Sequence, residues 1–409
     1  MAPQNYCDLG RAIDETVVCI LAGGKGERLM PLTGDRAKPA VPFGGKYRVI
    51  DFVMSNCVNS DFNQIYVFPQ HLNQSLNQHL LNGWNIFLPE RNQFMQIVSP
   101  QGRVRKDWYS GTAASVHDNL FSIGQTDPKY VIILSSDQVY KMDYRLMLQA
   151  HIESGAELTI ASLAVSKHDA HEFGVLEIND DQRIVDFCEK PICPKTIPGR
   201  PEEALISMGI YIFNSSALVD ILERDALDRH SKHDFGKNIV PKMLKQGNRL
   251  FAYLFDDHWV DIGSPLAYYN ANMDLISVKP KFNLYDPNWL WRTFERPAPP
   301  LKVVFRSQIR SSIVCDGCVL DECNVSNSVI SPNVRIGRNT SIANSVIMNG
   351  VVIGDNVTIR NATIDKDNII PDGTIITPSY MKFDGIYTIT ETDPEIVIIP
   401  RYCNFWKGR

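Results

Sequence analysis

A chain of 409 residues is too long for one ordinary hydrophobic core, and 44% apolar with 21% charged residues describes a soluble globular protein of two domains. The net charge of −5 offers no basic face for nucleic acid, and no apolar run approaches the ~18 residues of a membrane-spanning helix. Nine cysteines, an odd number with no signal-peptide pattern ahead of them, predict reduced thiols and a cytoplasmic protein.

The first strand predicted, residues 17–22, runs directly into LAGGKGERL (21–29). Three glycines within four residues let the backbone approach a ligand, and successive amides in such a turn form an anion-binding concavity. The loop has neither the Gly-Lys-Ser/Thr ending of a P-loop nor the Gly-x-Gly-x-x-Gly of dinucleotide sites, and by itself a glycine turn can be purely structural. Arg28 and Lys38, ten residues apart, add a guanidinium fork and a compact ammonium, a pair that suits a polyphosphate better than a carboxylate.

From about residue 16 to 274, apolar runs alternate with stretches of helical spacing. IYVF (65–68), YVIILSSD (130–137), ELTIASLAV (157–165) and RLFAYLF (249–255) read as strands covered on both faces, which predicts an α/β domain with a mostly parallel sheet. Ligands of such sheets lie beyond the carboxyl ends of the strands, where the glycine loop and Asp137 both stand. Asp261, in WVDIGS (259–264), is a second carboxylate, expected in an exposed loop. Two carboxylates completed by phosphate oxygens are a usual way of holding Mg²⁺, although either Asp taken alone is more often a turn or cap residue. Glu189-Lys190-Pro191 follows the apolar IVDFC (184–188) and reads either as a surface charge pair or as contacts to the hydroxyls and phosphate of a sugar phosphate.

Residues 275–305 hold five prolines among tryptophans and arginines, the pattern of a linker that partly packs. Beyond it RSSI (310–313), NSVI (327–330), NSVI (344–347) and NATI (361–364) recur every 17 residues, in phase with Val319, Ile336, Ile353 and with Val325, Ile342, Ile359. A turn of three hexapeptides less one residue predicts a three-sided parallel β-helix of about four coils, whose handedness the period does not determine. Cys315, Cys318 and Cys323 fall on these coils; one Cys-x2-Cys pair without a nearby histidine predicts packing rather than zinc.

Taken in order, the glycine loop, RAKPAV (36–41), WYSGTAAS (108–115), SSD (135–137), FGV (173–175), EKP (189–191), SMGIY (207–211), HDFGK (233–237) and WVDIGS resemble the ADP-glucose pyrophosphorylases, also called glucose-1-phosphate adenylyltransferases, over nearly the whole chain. The resemblance implies a Rossmann-like nucleotidyltransferase domain (14–275), a linker (276–305) and a left-handed parallel β-helix for regulation and oligomerisation (306–409), assembled as a homotetramer. The reaction implied is ATP plus α-D-glucose 1-phosphate giving ADP-glucose and pyrophosphate, the committed step of glycogen- or starch-type glucan synthesis, with Mg²⁺ as cofactor and allosteric control.

By motif position, Leu21, Ala22, Gly23, Gly24, Gly26, Arg28, Gln70, Gly111 and Thr112 would bind the nucleotide. Tyr109, Gly174, Glu189, Lys190, Ser207, Asp234 and Trp259 would meet glucose 1-phosphate. Arg28, Lys38, Asp137 and Lys190 would carry the chemistry, with Asp137 and Asp261 on the metal. Arg36 and Arg48 are the candidates for a phosphorylated effector or phosphate. Many relatives have a basic residue where Asp35 stands, so a carboxylate there is expected to oppose such an anion. The same chemistry on another nucleoside triphosphate or on glucosamine 1-phosphate is the nearest alternative. A non-catalytic regulatory subunit is another, and would be expected to have lost a metal carboxylate or a phosphate cation that this sequence keeps.

Overall fold

Residues 17–20 are wholly buried because strand β1 (Thr16–Ala22) lies between two parallel neighbours and is covered on both faces. The computed structural model describes residues 3–24, 26–100, 110–381, 386–403 and 405. In the N-terminal domain β1 is joined by β2 (Gln64–Pro69), β3 (Phe94–Ile97), β4 (Tyr130–Ser135), β5 (Leu158–Ser166), β6 (Gly174–Ile178), β7 (Ile184–Glu189), β8 (Glu203–Asn214) and β9 (Leu250–Leu254). The order is β7-β6-β8-β4-β1-β2-β3, with β5 pairing β8 and β9. Seven of the nine strands run one way; β7 and β8 run against them.

Helices α1 (Pro3–Asp14), α2 (Val49–Asn59), α3 (Gln74–Gly83), α4 (Thr112–His117) and α5 (Ser215–Ala226) are among those that flank the sheet, whereas α6 (Pro265–Asp274) packs toward the C-terminal repeats, where its Tyr269 hydroxyl donates to the Asn344 carbonyl at 2.8 Å. Two apolar clusters fill its two faces, one around Val18, Ile20 and Ile132 and the other around Val17, Cys19 and Ile133. That division is the period-2 alternation of a strand. β8 shifts register between Ser207 and Tyr211, so its bulge stands beside Ser135 at the end of β4. A separate short pair, Gln138–Tyr140 with Trp259–Asp261, sits just past that end.

The C-terminal domain is a parallel β-helix, consistent with left-handed winding. Ile342 pairs with Val325 on one side and Ile359 on the other, each 17 residues away. The earliest coil departs from the expected phase: Leu320 rather than Val319 pairs with Ile336, and Ile313 pairs with Val329 rather than Ile330, a step of one residue less. Asn327, Asn344 and Asn361 each adopt a left-handed φ of 46–48°, and their amides stack at 3.3 and 3.1 Å. Asn tolerates that conformation, which explains why it opens three of the four repeats. Ile330, Ile347 and Ile364 then point into the coil core with Cys318 and Cys323, so two of the clustered thiols do pack as expected.

The valines beside them, Val329 and Val346, face the other way. They enter a cluster with Leu29, Val41, Phe43, Tyr268 and Phe282, so that one apolar core is shared by both domains and the linker. Linker residues Trp289 and Thr293 also hydrogen-bond Asn56 and Asp51 of α2, at 3.1 and 2.7 Å.

Candidate active site

The glycine loop begins where β1 ends. Gly26, at φ 66°, caps a short 3₁₀ turn, and a Cβ there would stand 2.9 Å from Thr33 Cγ2 and 3.2 Å from Lys38 Cβ. Thr33 Oγ1 donates to the Gly26 carbonyl at 2.8 Å, and Ser136 Oγ to that of Leu21 at 2.6 Å. Gln70, at the end of β2, packs its side chain on Gly23. Ala22 is buried at the strand end, so Leu21, Ala22, Gly23, Gly24, Gly26 and Gln70 share one edge of the sheet.

Lys38, almost wholly buried, places its Nζ 2.9 Å from Asp137 and 2.9 Å from Asp261. The two carboxylates meet because the strand ending in Asp261 pairs with the strand that follows Asp137. Asp261 is therefore a largely buried strand-end residue, and not in an exposed loop as expected from sequence. Burial works to raise the Asp137 carboxyl, but the charge and hydrogen bond of Lys38 outweigh it and hold it below the usual range. Burial and the charge of Asp137 keep the Asp261 carboxyl high, against Lys38 and Arg28. Lys38 in turn stays charged: burial opposes it, and the two carboxylates prevail.

Arg28 lies 3.7 Å from Asp261 and donates to Glu172 at 2.5 Å, with 56% of its side chain exposed. Neither Glu172 nor Gly263 was a candidate from the sequence. A Cβ at Gly263 would meet Asp261 Oδ2 at 2.7 Å, a requirement that WVDIGS carries and that only the contact explains.

A second group of residues gathers at β6 and β7. Glu189 ends β7 opposite Gly174, and a Cβ at Gly174 would be 2.4 Å from the Phe187 ring and 2.9 Å from Glu189 Oε2. Gly236 lies against the same carboxylate. Burial, then the neighbouring Asp234, raises the Glu189 carboxyl against the pull of Lys190 and Lys237. Lys190 turns at φ 50° and is exposed. Asp234 Oδ2 accepts from Thr112 Oγ1 at 3.1 Å, which brings Gly111 and Thr112 to this wall.

Ser207 opens the bulge of β8, and its Oγ accepts from the Gly209 amide at 3.2 Å. Trp259 donates to Gln138 Oε1 at 3.0 Å and meets the Phe173 ring edge-on at 5.5 Å. Glu172, two residues before β6, ties this group to the glycine loop through Arg28. Tyr109 lies outside the described residues.

Among the described residues, no three His, Cys, Asp or Glu side chains gather as a metal site. The pair Asp137 and Asp261 fits a hard divalent cation whose remaining ligands are phosphate oxygens and water, and the Lys38 ammonium already shows that both carboxylates converge on one positive charge.

A cavity of about 1360 Å³ lies elsewhere, between the N-terminal domain and the β-helix. Arg48 lines it with Lys46, Arg296, Lys366 and Arg401. Arg36 does not: it is 1% exposed, paired with Asp365 at 2.6 Å and Asp35 at 2.9 Å. Asp35 also accepts from Arg401 at 2.9 Å. Its charge is thus shared by two guanidinium groups, while Asp35 itself lines the cavity in which a carboxylate was expected to oppose an anion.

A parallel-centred sheet whose first turn faces two converging carboxylates is the architecture of a nucleotidyltransferase. Residues 17–278 match the family described as "Nucleotidyl transferase" and residues 299–399 the one described as "GlmU-like, C-terminal hexapeptide". The chain is 46% identical to "Glucose-1-phosphate adenylyltransferase 2" of Vibrio cholerae, a match covering 81% of this chain and 84% of that protein. It is 45% identical to "Glucose-1-phosphate adenylyltransferase" of Koribacter versatilis, over 79% and 80%, and 41% identical to that of Rhodospirillum rubrum, over 82% and 83%. The chain belongs to the glucose-1-phosphate adenylyltransferase family.

Proposed function

We infer that the chain transfers the adenylyl group of ATP to α-D-glucose 1-phosphate, releasing pyrophosphate and forming ADP-glucose for glycogen-type glucan synthesis. The observation that carries the site-level reading is the Lys38 ammonium held at 2.9 Å from both Asp137 and Asp261, directly under the glycine loop. An acid-and-lysine centre beside a backbone nest neutralises polyphosphate charge and offers no covalent nucleophile, which is what in-line nucleotidyl transfer needs.

In this reading the amides around Gly23, Gly24 and Gly26 hold the triphosphate, and Arg28 leaves Glu172 for the departing pyrophosphate. Lys190 holds the phosphate of glucose 1-phosphate, and Glu189 with Asp234 accept from sugar hydroxyls. An oxygen of that phosphate attacks the α-phosphorus as the bond to pyrophosphate breaks. A divalent cation held by Asp137 and Asp261, Mg²⁺ in this proposal, supplies charge withdrawal at the reacting phosphate when bound.

The reading extends to a catalytic domain at 14–275, a linker at 276–305 and a regulatory β-helix at 306–409, in a cytoplasmic homotetramer. No helix is long and apolar enough to cross a membrane among the described residues. A small phosphorylated effector or phosphate binds in the interdomain cavity, with Arg48 and Lys366 as its cations and Arg36 acting from behind through Asp35.

Pyrophosphate release measured across nucleotides and sugar phosphates tests the proposal. ATP with glucose 1-phosphate is expected to give the highest kcat/KM; a faster alternative pair would change the substrate assignment, and ligand binding without turnover would favour a regulatory subunit.

A further inference from the structure

The His of HDFGK has no role in the reading above, and neither does Asp225 on the last turn of α5. Asp225 is only 2% exposed, yet its carboxylate accepts from three side chains: Lys242 Nζ at 2.5 Å, Ser231 Oγ at 2.7 Å and His233 Nδ1 at 2.8 Å. Burial alone would raise this carboxyl, but those hydrogen bonds bring it below the ordinary value. The ring it grips belongs to a residue at φ 51°, a left-handed conformation that side-chain-bearing residues rarely adopt.

What the strained turn presents is its carbonyl. His233 O accepts from the amides of Ala113 at 2.8 Å and Ala114 at 3.2 Å, in the first turn of α4. The approach is backbone against backbone: a Cβ on Gly111 would lie 2.3 Å from the carbonyl oxygens of both Lys232 and His233. One residue further on, Asp234 accepts from Thr112 Oγ1, and the same hydroxyl accepts from the Phe235 amide at 3.1 Å. Then Gly236 lies on the Glu189 carboxylate. Five consecutive residues therefore touch the nucleotide segment at one end and the sugar wall at the other.

We propose that Asp225 and His233 form a positioning pair, which locks the 232–236 turn so that Gly111 and Thr112 on the nucleotide side stay in register with Asp234 and Glu189 on the sugar side. The inference rests on the assignment of those residues to the two substrates. Because in-line transfer is sensitive to displacements of about 1 Å, releasing the turn lowers the rate without removing any group that touches substrate.

The test is His233→Gly, which removes the ring while glycine takes the left-handed φ without strain and Asp225 keeps its bonds to Lys242 and Ser231. Its kcat is expected to fall about tenfold or more, with KM rising for both ATP and glucose 1-phosphate and the melting temperature kept. Asp225→Asn, made with His233 in place, can still accept from its Nδ1 and should keep most of the wild-type rate. Wild-type kinetics in His233→Gly would overturn the pair, as would a loss traced by active-site titration to a smaller active fraction with unchanged KM values. Thr112→Ala and Glu189→Gln are measured beside it. If those leave KM for ATP and for glucose 1-phosphate unaltered, the substrate assignment falls and the inference with it; if they act as assigned while His233→Gly does not, only the pair is wrong.

Discussion

Asp137 and Asp261 come from motifs over a hundred residues apart, yet one ammonium lies within hydrogen-bond reach of both. Asp137→Asn keeps the shape and removes one charge from that centre, so turnover should fall by ~10² or more in a protein with unchanged circular dichroism. Near-normal turnover would take Asp137 out of the site. Lys190 is exposed, and in the proposed function it meets the phosphate of glucose 1-phosphate before the reaction begins. Lys190→Gln should therefore raise KM for glucose 1-phosphate far more than KM for ATP in steady-state kinetics, and equal effects would count against the assignment.

At the level of an element, the β-helix is held by apolar side chains stacked from coil to coil. Ile342 is fully buried between Val325 and Ile359, so Ile342→Asp places an unpaired carboxylate in the lining and should cost several kcal/mol. Thermal unfolding checks this, and an unchanged profile would show that the coil tolerates the charge. The same strands carry two messages in alternate residues. Isoleucines stack inward, while Val329 and Val346 turn toward the catalytic domain, so Val346→Asp is directed at the interdomain core and not at the coil.

For the molecule as a whole, the loop holding Asp35 and Arg36 clasps the β-helix through Asp365 and Arg401. Arg36 and Asp365 are each about 1% exposed, and Asp365→Asn would leave a buried guanidinium without its main counter-charge, at a cost of about 3–5 kcal/mol. Asp35→Lys breaks the exposed arm of the clasp and sets a third cation beside Arg36 and Arg401. It should lower the melting temperature and leave the response to a phosphorylated effector no stronger; a stable, more responsive variant would contradict the clasp. In the cavity, burial and the charges of Arg36, Arg401 and Arg48 pull the Lys366 ammonium down to about 8, against Asp365. An anion binds the protonated form better, so sulfate affinity should weaken as pH rises through about 8. Calorimetric titration from pH 7 to 9 measures this, and a flat profile would exclude Lys366 from the anion site.

The strands, the glycine loop and the repeat were legible in the sequence because each is dictated locally, by the two-residue alternation of a strand, by the conformations glycine permits and by a fixed repeat length. The family motifs likewise marked Lys38, Asp137, Glu189 and Asp261 one at a time. Tertiary structure decided what those side chains face. Arg36 reads as a surface cation until Asp365, 329 residues away, folds against it, and Asp261 reads as a loop residue until its strand pairs beside Asp137. The one-residue step in the first coil, the grip of Asp225 on His233 and the contact of Glu172 with Arg28 belong to the same kind. Each depends on distances between segments remote in the chain, and local propensity carries no record of distance.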